Sequence, residues 1–338
     1  MKKITALLLA LILAIAVSAC GIIFAPVLYI SIVNGLDVVR GFFSASDDLF
    51  VAERIPFPEL PTWDGNYDIA FFNETAYFIS GSNRLQNQYF FSMNIDGTSY
   101  SVILPDYEVT HPTIDVDRVF IERSAIGCDG SLWVIERVLG YDQLYNQHEM
   151  YYLRKLDSTG VELLSFDISD TIAEFVVADY QFWSRNRLSS LNIDNEDNIY
   201  IGTPTGIIIL DEASRLLFHL DTYAGRLIKM HDGYIYFAGS TYIQKIDTKN
   251  HELGESIYLP KTALSVLQGN NERFILFHTS LLFYVIEAET GKIVYNYSFP
   301  ENDIRGVINA TILEDGCIII AVLSNSHIIE LVLLRALS

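Results

Sequence analysis

An all-β fold, a six-bladed β-propeller of four-stranded antiparallel blades behind an N-terminal signal or anchor helix, is predicted by three observations. The first is the stretch Leu191 to Leu220, where short apolar runs (Asn198 to Ile201, Ile207 to Leu210, Arg215 to Leu220) alternate with Asp-, Asn-, Gly- and Pro-rich turns. Short runs of β-formers bounded by such residues are antiparallel strands joined by tight loops. The second is recurrence: equivalent first turns at Asp194, Asp232 and Asn270 stand 38 residues apart in each case, and radial repetition of a four-stranded unit is a propeller. The third is a shortage. The last unit has three runs, and Phe50 to Ile55 is available to complete it and close the ring. Loop insertions in the first two units also admit five or seven blades. A β-sandwich would alternate in the same way but gives no reason for repeated four-run units, and the period-2 pattern excludes a helical solenoid.

The chain opens with Met1-Lys2-Lys3, then an apolar run from Ile4 to Val17, then Val17-Ser18-Ala19-Cys20. That is a secretory signal in layout. No charge occurs between Lys3 and Asp37, and about 20 apolar residues suffice to span a bilayer. Two readings stay open: residues 1–20 as a cleaved signal, or 4–36 as an uncleaved anchor. Under either, the positive-inside rule places the remainder outside the cytoplasm. Residues 21–49 are then a membrane-proximal segment and linker, and 50–338 the propeller.

Six units follow in order. The first runs from Tyr67 to Leu104, with a hairpin signal at Asp96-Gly97. The second spans Val119 to Ile168, with turns at Cys128-Asp129-Gly130 and Asp157 to Gly160. The Leu191–Leu220 unit is third. The fourth spans Arg226 to Leu259, the fifth Ala263 to Phe299, and the sixth begins at Arg305.

Composition narrows the function. Half of the residues are apolar and 13% aromatic, ample for a core; 22 Lys+Arg against 42 Asp+Glu give a net charge of −20. Nucleic acid is excluded as a partner, because phosphate binding depends on Lys and Arg. Cys128 and Cys317 fall in turns of different units, too far apart to bridge, so free or buried thiols are expected.

Several motifs carry resemblances. Val17-Ser18-Ala19-Cys20 resembles the lipobox of bacterial lipoproteins, which implies lipidation of Cys20. Asp197-Asn198-Ile199-Tyr200-Ile201-Gly202-Thr203 and Asp129-Gly130-Ser131-Leu132-Trp133-Val134 resemble the repeats of NHL-type and two-component-regulator propellers. Asp232-Gly233-Tyr234-Ile235-Tyr236 and Glu289-Thr290-Gly291-Lys292-Ile293-Val294 are similar to quinoprotein repeats. The resemblance implies an extracytoplasmic bacterial propeller lipoprotein. Quinoprotein dehydrogenases add regular tryptophans and a cysteine pair; with three Trp and no adjacent cysteines here, their cofactor is not carried over.

No His-x-His or HExxH pair, nucleophile elbow, P-loop or dinucleotide glycine pattern occurs. No catalytic residue, metal or cofactor is therefore assigned. Asp194, Glu196 and Asp197 lack the spacing of a calcium loop and read as a solvated turn. Binding residues are expected on loops of the rigid scaffold: Tyr141, Tyr145 and His148 in 140–149, Trp183, Arg185 and Arg187 in 180–187, and His278 and His327 in short turns. Aromatic faces stack on sugars or peptide side chains, and arginine pairs with carboxylates. The expected function is a membrane-tethered, non-catalytic module for a protein partner or an extracellular glycan or peptide. The alternative is a propeller enzyme, such as a lactonase, hydrolase or glycan lyase, with acids and histidines gathered from several blades.

Overall fold

The structure, a computed structural model, describes residues 50–55, 66–72, 75–81, 89–95, 100–103, 109–175, 188–203, 206–222, 226–229, 235–238, 241–259, 265–267, 274–278, 282–287, 292–298, 304–312, 317–324 and 329–336. All belong to the second of the chain's two units, Asp47–Ser338. The signal or anchor reading of 1–36, Cys20 and the linker lie outside them. Among the described residues no helix is long and apolar enough to cross a membrane.

The described residues form six four-stranded antiparallel sheets. The first holds β2 (Asn66–Phe72), β3 (Thr75–Gly81), β4 (Tyr89–Asn94) and β5 (Tyr100–Ile103). The second holds β6 (Asp115–Ile126), β7 (Leu132–Tyr141), β8 (Gln147–Leu156) and β9 (Glu162–Asp167). The third is the meander β10 (Ser190–Ile193), β11 (Ile199–Gly202), β12 (Gly206–Leu210) and β13 (Leu216–Asp221). The fourth contains β14 (Arg226–Lys229), β15 (Ile235–Ala238), β16 (Tyr242–Ile246) and β17 (Leu253–Tyr258). The fifth contains β18 (Ser265–Leu267), β19 (Phe274–His278), β20 (Leu282–Glu287) and β21 (Ile293–Ser298). In the last, β22 (Ile304–Ile312), β23 (Ile318–Ser324) and β24 (Ile329–Ala336) are joined by β1 (Phe50–Ile55), with Phe50 opposite Ala336 and Ile55 opposite Leu331.

The first strands of successive sheets neighbour one another in a cycle: β2 beside β6, then β10, β14, β18, β22, and back to β2. The architecture is a β-propeller. Period-2 alternation produces it, because successive side chains leave opposite faces of a sheet. Ile199 and Ile201 pack towards Trp133, Ile135 and Leu153 of the second sheet, while Tyr200 between them packs with Ile235 and Phe237 of the fourth. Every junction repeats the device, including the last to the first, where Ile319, Ala321 and Leu333 meet Ile69, Ala76 and Met93. The junction of the first and second sheets, where Tyr77 meets Ile121, Leu132 and Val134, lies in a sheet that also carries buried charge. There Arg154 donates from Nε to Glu136 Oε2 at 2.7 Å and from Nη1 to Ser165 Oγ at 3.0 Å.

Each first strand pairs on one side only, so side chains supply what a missing strand would. Asn192 Nδ2 donates to the carbonyl of Leu227 at 2.8 Å, and the Leu227 amide donates to Ser190 Oγ at 3.0 Å. At the junction of the last and first sheets, Asn309 Nδ2 donates to the carbonyl of Ile69. The outer strands carry the opposite device. β9, β13, β17 and β21 each have a register shift just after the preceding turn, leaving Leu163, Leu217 and Val294 as extra, exposed residues. Bulges bend an edge away from further strand pairing.

Two expectations are corrected. Asp194 is not solvated but 1% exposed. Its carboxylate accepts from the amides of Glu196 and Asn198, from Asn198 Nδ2 and from the Tyr200 hydroxyl, which compensates its burial. Burial and the adjacent Asp194 in turn push the Tyr200 hydroxyl pKa far up. A short helix also occurs where none was expected, α1 (Ser169–Phe175), between β9 and β10. Asp167 Oδ1 accepts from the amide and hydroxyl of Ser169 and fixes the entry to it.

Asn192→Ala should destabilise the protein by about 1–3 kcal/mol, the cost of an unsatisfied buried carbonyl, read from the urea midpoint with an unchanged slope. An exposed Asn of the same type, Asn250, should tolerate the change.

Candidate functional site

In a four-stranded meander, first-to-second and third-to-fourth turns share one end of the sheet. Second-to-third hairpins and the connections between sheets share the other. The two ends differ in chemistry.

At the first end, neighbouring sheets are stitched together. The Cys128 thiol donates to the carbonyl of Asp194 at 3.3 Å and to Asn195 Oδ1 at 3.1 Å. Lys155 Nζ lies 2.9 Å from Asp129 Oδ2, 3.7 Å from Asp197 Oδ2 and 5.3 Å from the Trp133 ring centroid. Burial opposes the Asp129 charge, but hydrogen bonds from Ser131 and Lys155 outweigh it and hold the carboxyl at a pKa of about 2. The charged and thiol groups satisfy one another, while the buried Trp133 indole N–H has no hydrogen-bond partner. Among the described residues no three His, Cys, Asp or Glu side chains form a metal-binding group.

At the other end, β7 and β8 are longer than their counterparts in the third sheet. Each has ten residues, against four in β11 and five in β12, so at about 3.3 Å per residue the hairpin is roughly 20 Å longer on its β7 arm. β6 runs with it, Asp115 opposite Tyr141, and so closely that a Cβ on Gly140 would lie 2.5 Å from the Asp115 carbonyl oxygen. Half of the predicted loop 140–149 is thereby strand: Tyr141 ends β7 and His148 lies within β8, leaving Asp142 to Asn146 as the tip.

The tip is fixed by one carboxylate. Asp142 Oδ1 accepts from the amides of Leu144 (2.8 Å) and Asn146 (2.9 Å); Oδ2 accepts from Asn146 Nδ2 (2.9 Å) and His148 Nε2 (3.2 Å). The Asn146 side chain and amide, then His148 and the Leu144 amide, hold its carboxyl well below the usual carboxylate range. The Asp142 amide donates to the Asn146 carbonyl and the Tyr145 amide to the Asp142 carbonyl. This turn ends in a left-handed residue, as three-residue hairpin loops do. That residue is Tyr145, with φ of 61°.

The frame displays three apolar groups. Leu144 is 80% exposed, Tyr145 88% and Tyr141 39%. Tyr141, Tyr145 and His148 are thus brought onto one hairpin, though His148 serves to brace Asp142. Leu144 and Asp142 were missed. A signal existed: Asp142-x-x-x-Asn146-x-His148 has the spacing of Asp194-x-x-x-Asn198-x-Tyr200, and the carboxylate bonds of the two turns fall at the same spacings. Trp183, Arg185, Arg187 and His327 lie outside the described residues. His278 is not in a loop but is the last residue of β19, opposite Ser265 and Phe283.

No protein-family model matches the chain, and no curated protein matches its sequence. Solved structures do. A virginiamycin B lyase from Staphylococcus aureus is 12% identical, with a TM-score of 0.44, over 83% of this chain and 88% of that one. A protein of unknown function from Bacteroides caccae is 14% identical, with a TM-score of 0.43, over 75% and 85%. A chain of the mitotic checkpoint complex is 10% identical, with a TM-score of 0.47, over 87% and 96%. Likenesses this distant carry nothing about chemistry, and the fold rests on the strand order itself.

The depressed Asp142 pKa sets a pH window. Its contribution is complete above the unfolded carboxylate value of about 3.9 and is lost as pH falls through the lower folded value. Hydrogen-exchange protection of the Leu144 and Asn146 amides should therefore hold from pH 7 to 5 and decline only in strong acid. Asp142→Ala should abolish it at every pH while protection in β11 and β12 persists.

Proposed function

We propose that the chain is a membrane-tethered, extracytoplasmic bacterial β-propeller of six blades, residues 50–338, closed by the strand at 50–55 and acting as a non-catalytic binding module. The tether is the apolar N-terminal stretch, held either by a lipid on Cys20 or as an uncleaved helix. The ligand is a protein partner or an extracellular glycan or peptide.

One observation carries the binding reading: Tyr145 occupies a left-handed position at nearly full exposure. The equivalent turn position holds Gly130 and Gly160 in the same sheet and Asp197 and Ser214 in the third, so the backbone conformation belongs to the turn; what sets Tyr145 apart is a large aromatic side chain 88% exposed there. Tyrosine there contributes no packing, and an aromatic face held in solvent on a fixed turn is suited to recognition. The Asp142 brace adds pre-organisation, which lowers the entropic cost of engaging a partner.

The test is Tyr145→Gly in the soluble unit Asp47–Ser338. The variant should unfold at the same or a higher temperature. A ligand at 100 times its dissociation constant stabilises the parent by about 2.7 kcal/mol, and the variant should lose that gain. Screening covers glycans, peptides and divalent cations. A cation-induced gain that survives Tyr145→Gly would move the assignment to a propeller enzyme.

A further inference from the structure

We infer that Leu144 and Tyr145 form a convex anchor that enters an apolar cleft, rimmed by basic groups, on a protein partner. This rests on the binding reading above and selects among its ligand classes.

Shape argues first. Small molecules and sugars are held in concave sites that bury most of their surface. Here the recognition groups stand on the tip of a long hairpin, Leu144 and Tyr145 side by side and almost wholly exposed. An exposed pair of large apolar groups at such a tip can be desolvated only by a partner that supplies the concavity, and a buried aromatic at the centre of an interface is where binding energy concentrates. Leucine, unlike tyrosine, offers nothing to a sugar face.

Charge argues second. The described residues around the tip are acidic: Asp115 beside Tyr141, then Asp117, Asp142 and Glu149. The nearby Arg118 is engaged by Asp117 at 3.1 Å, and His148 is held by Asp142. With a net charge of −20 behind it, such a tip favours a basic rim and disfavours an acidic one. Rigidity argues third, because four hydrogen bonds to Asp142 fix the tip before any partner arrives.

The test places the photocrosslinker p-benzoylphenylalanine in the full-length protein in the membranes of cells that produce it. The positions are 145, Leu217 on an outer strand, and Ser158 in a turn at the opposite end. Position 145 should give a discrete protein adduct, and Leu144→Asp should reduce its yield roughly thirty-fold, as truncating a central interface anchor does. Its yield should also fall as salt rises, and the crosslinked partner peptide should map to a lysine- and arginine-rimmed cleft. A protein adduct from 217 or 158 but not 145 would overturn the anchor while leaving a binding module. An adduct at 145 with glycan or lipid alone would overturn the partner class. Absence of adducts at all three positions would remove the binding reading itself.

Discussion

Each of the six first strands pairs with a strand of its own sheet on one side and faces the first strand of a neighbouring sheet, unpaired, on the other. Backbone N–H and C=O groups buried without partners are costly, so the inner edges constrain the whole architecture. Asn192 and Ser190 serve the Leu227 backbone, and Asn309 serves that of Ile69. The second of these pairs joins the last sheet to the first, across 240 residues of sequence. The outer strands solve the converse problem by bulging, which explains why Leu163, Leu217 and Val294 face solvent without marking a functional patch. Side chains thus serve the inner edges at two junctions and bulges blunt the outer edge of four sheets.

One turn, in which an Asp carboxylate accepts from the amides two and four residues on, recurs at Asp142, Asp157, Asp194 and Asp211. At Asp194 a tyrosine hydroxyl and at Asp142 a histidine ring add a further bond at the same spacing. Asp194 is buried between sheets, its turn taking the Cys128 thiol and the Tyr200 hydroxyl, and it stitches the ring. Asp142 stands on long strands, and its bonds there display Leu144 and Tyr145, which are 80% and 88% exposed.

Much of the fold was legible because alternation and turn residues are local signals. The runs around Tyr67–Phe72, Ile207–Leu210 and Ile318–Leu323 became strands within a residue or two of their apolar limits. Burial was less legible. Asp194-Asn195-Glu196-Asp197 reads as solvated because four polar residues adjoin, and only the packing of the second sheet against the third covers Asp194. The length of β7 and β8 was hidden for a related reason: Arg137, Gly140 and His148 break the apolar pattern, yet pairing of β7 with β6 and of β8 with β7 keeps them in strand. For the site, residue type pointed to the aromatics, Tyr141 and Tyr145. Leu144 was passed over because a leucine is read as core unless the turn that ejects it is known.

The central claim is that the sheets form a ring closed by residues 50–55. Urea unfolding of the chain from Asp47, compared with the chain from Pro56, tests it most directly. The shorter chain, with β24 unpaired at its outer edge, should unfold at a markedly lower midpoint and regain it when a peptide of residues 47–57 is added. An equal midpoint and slope for the two chains would contradict it.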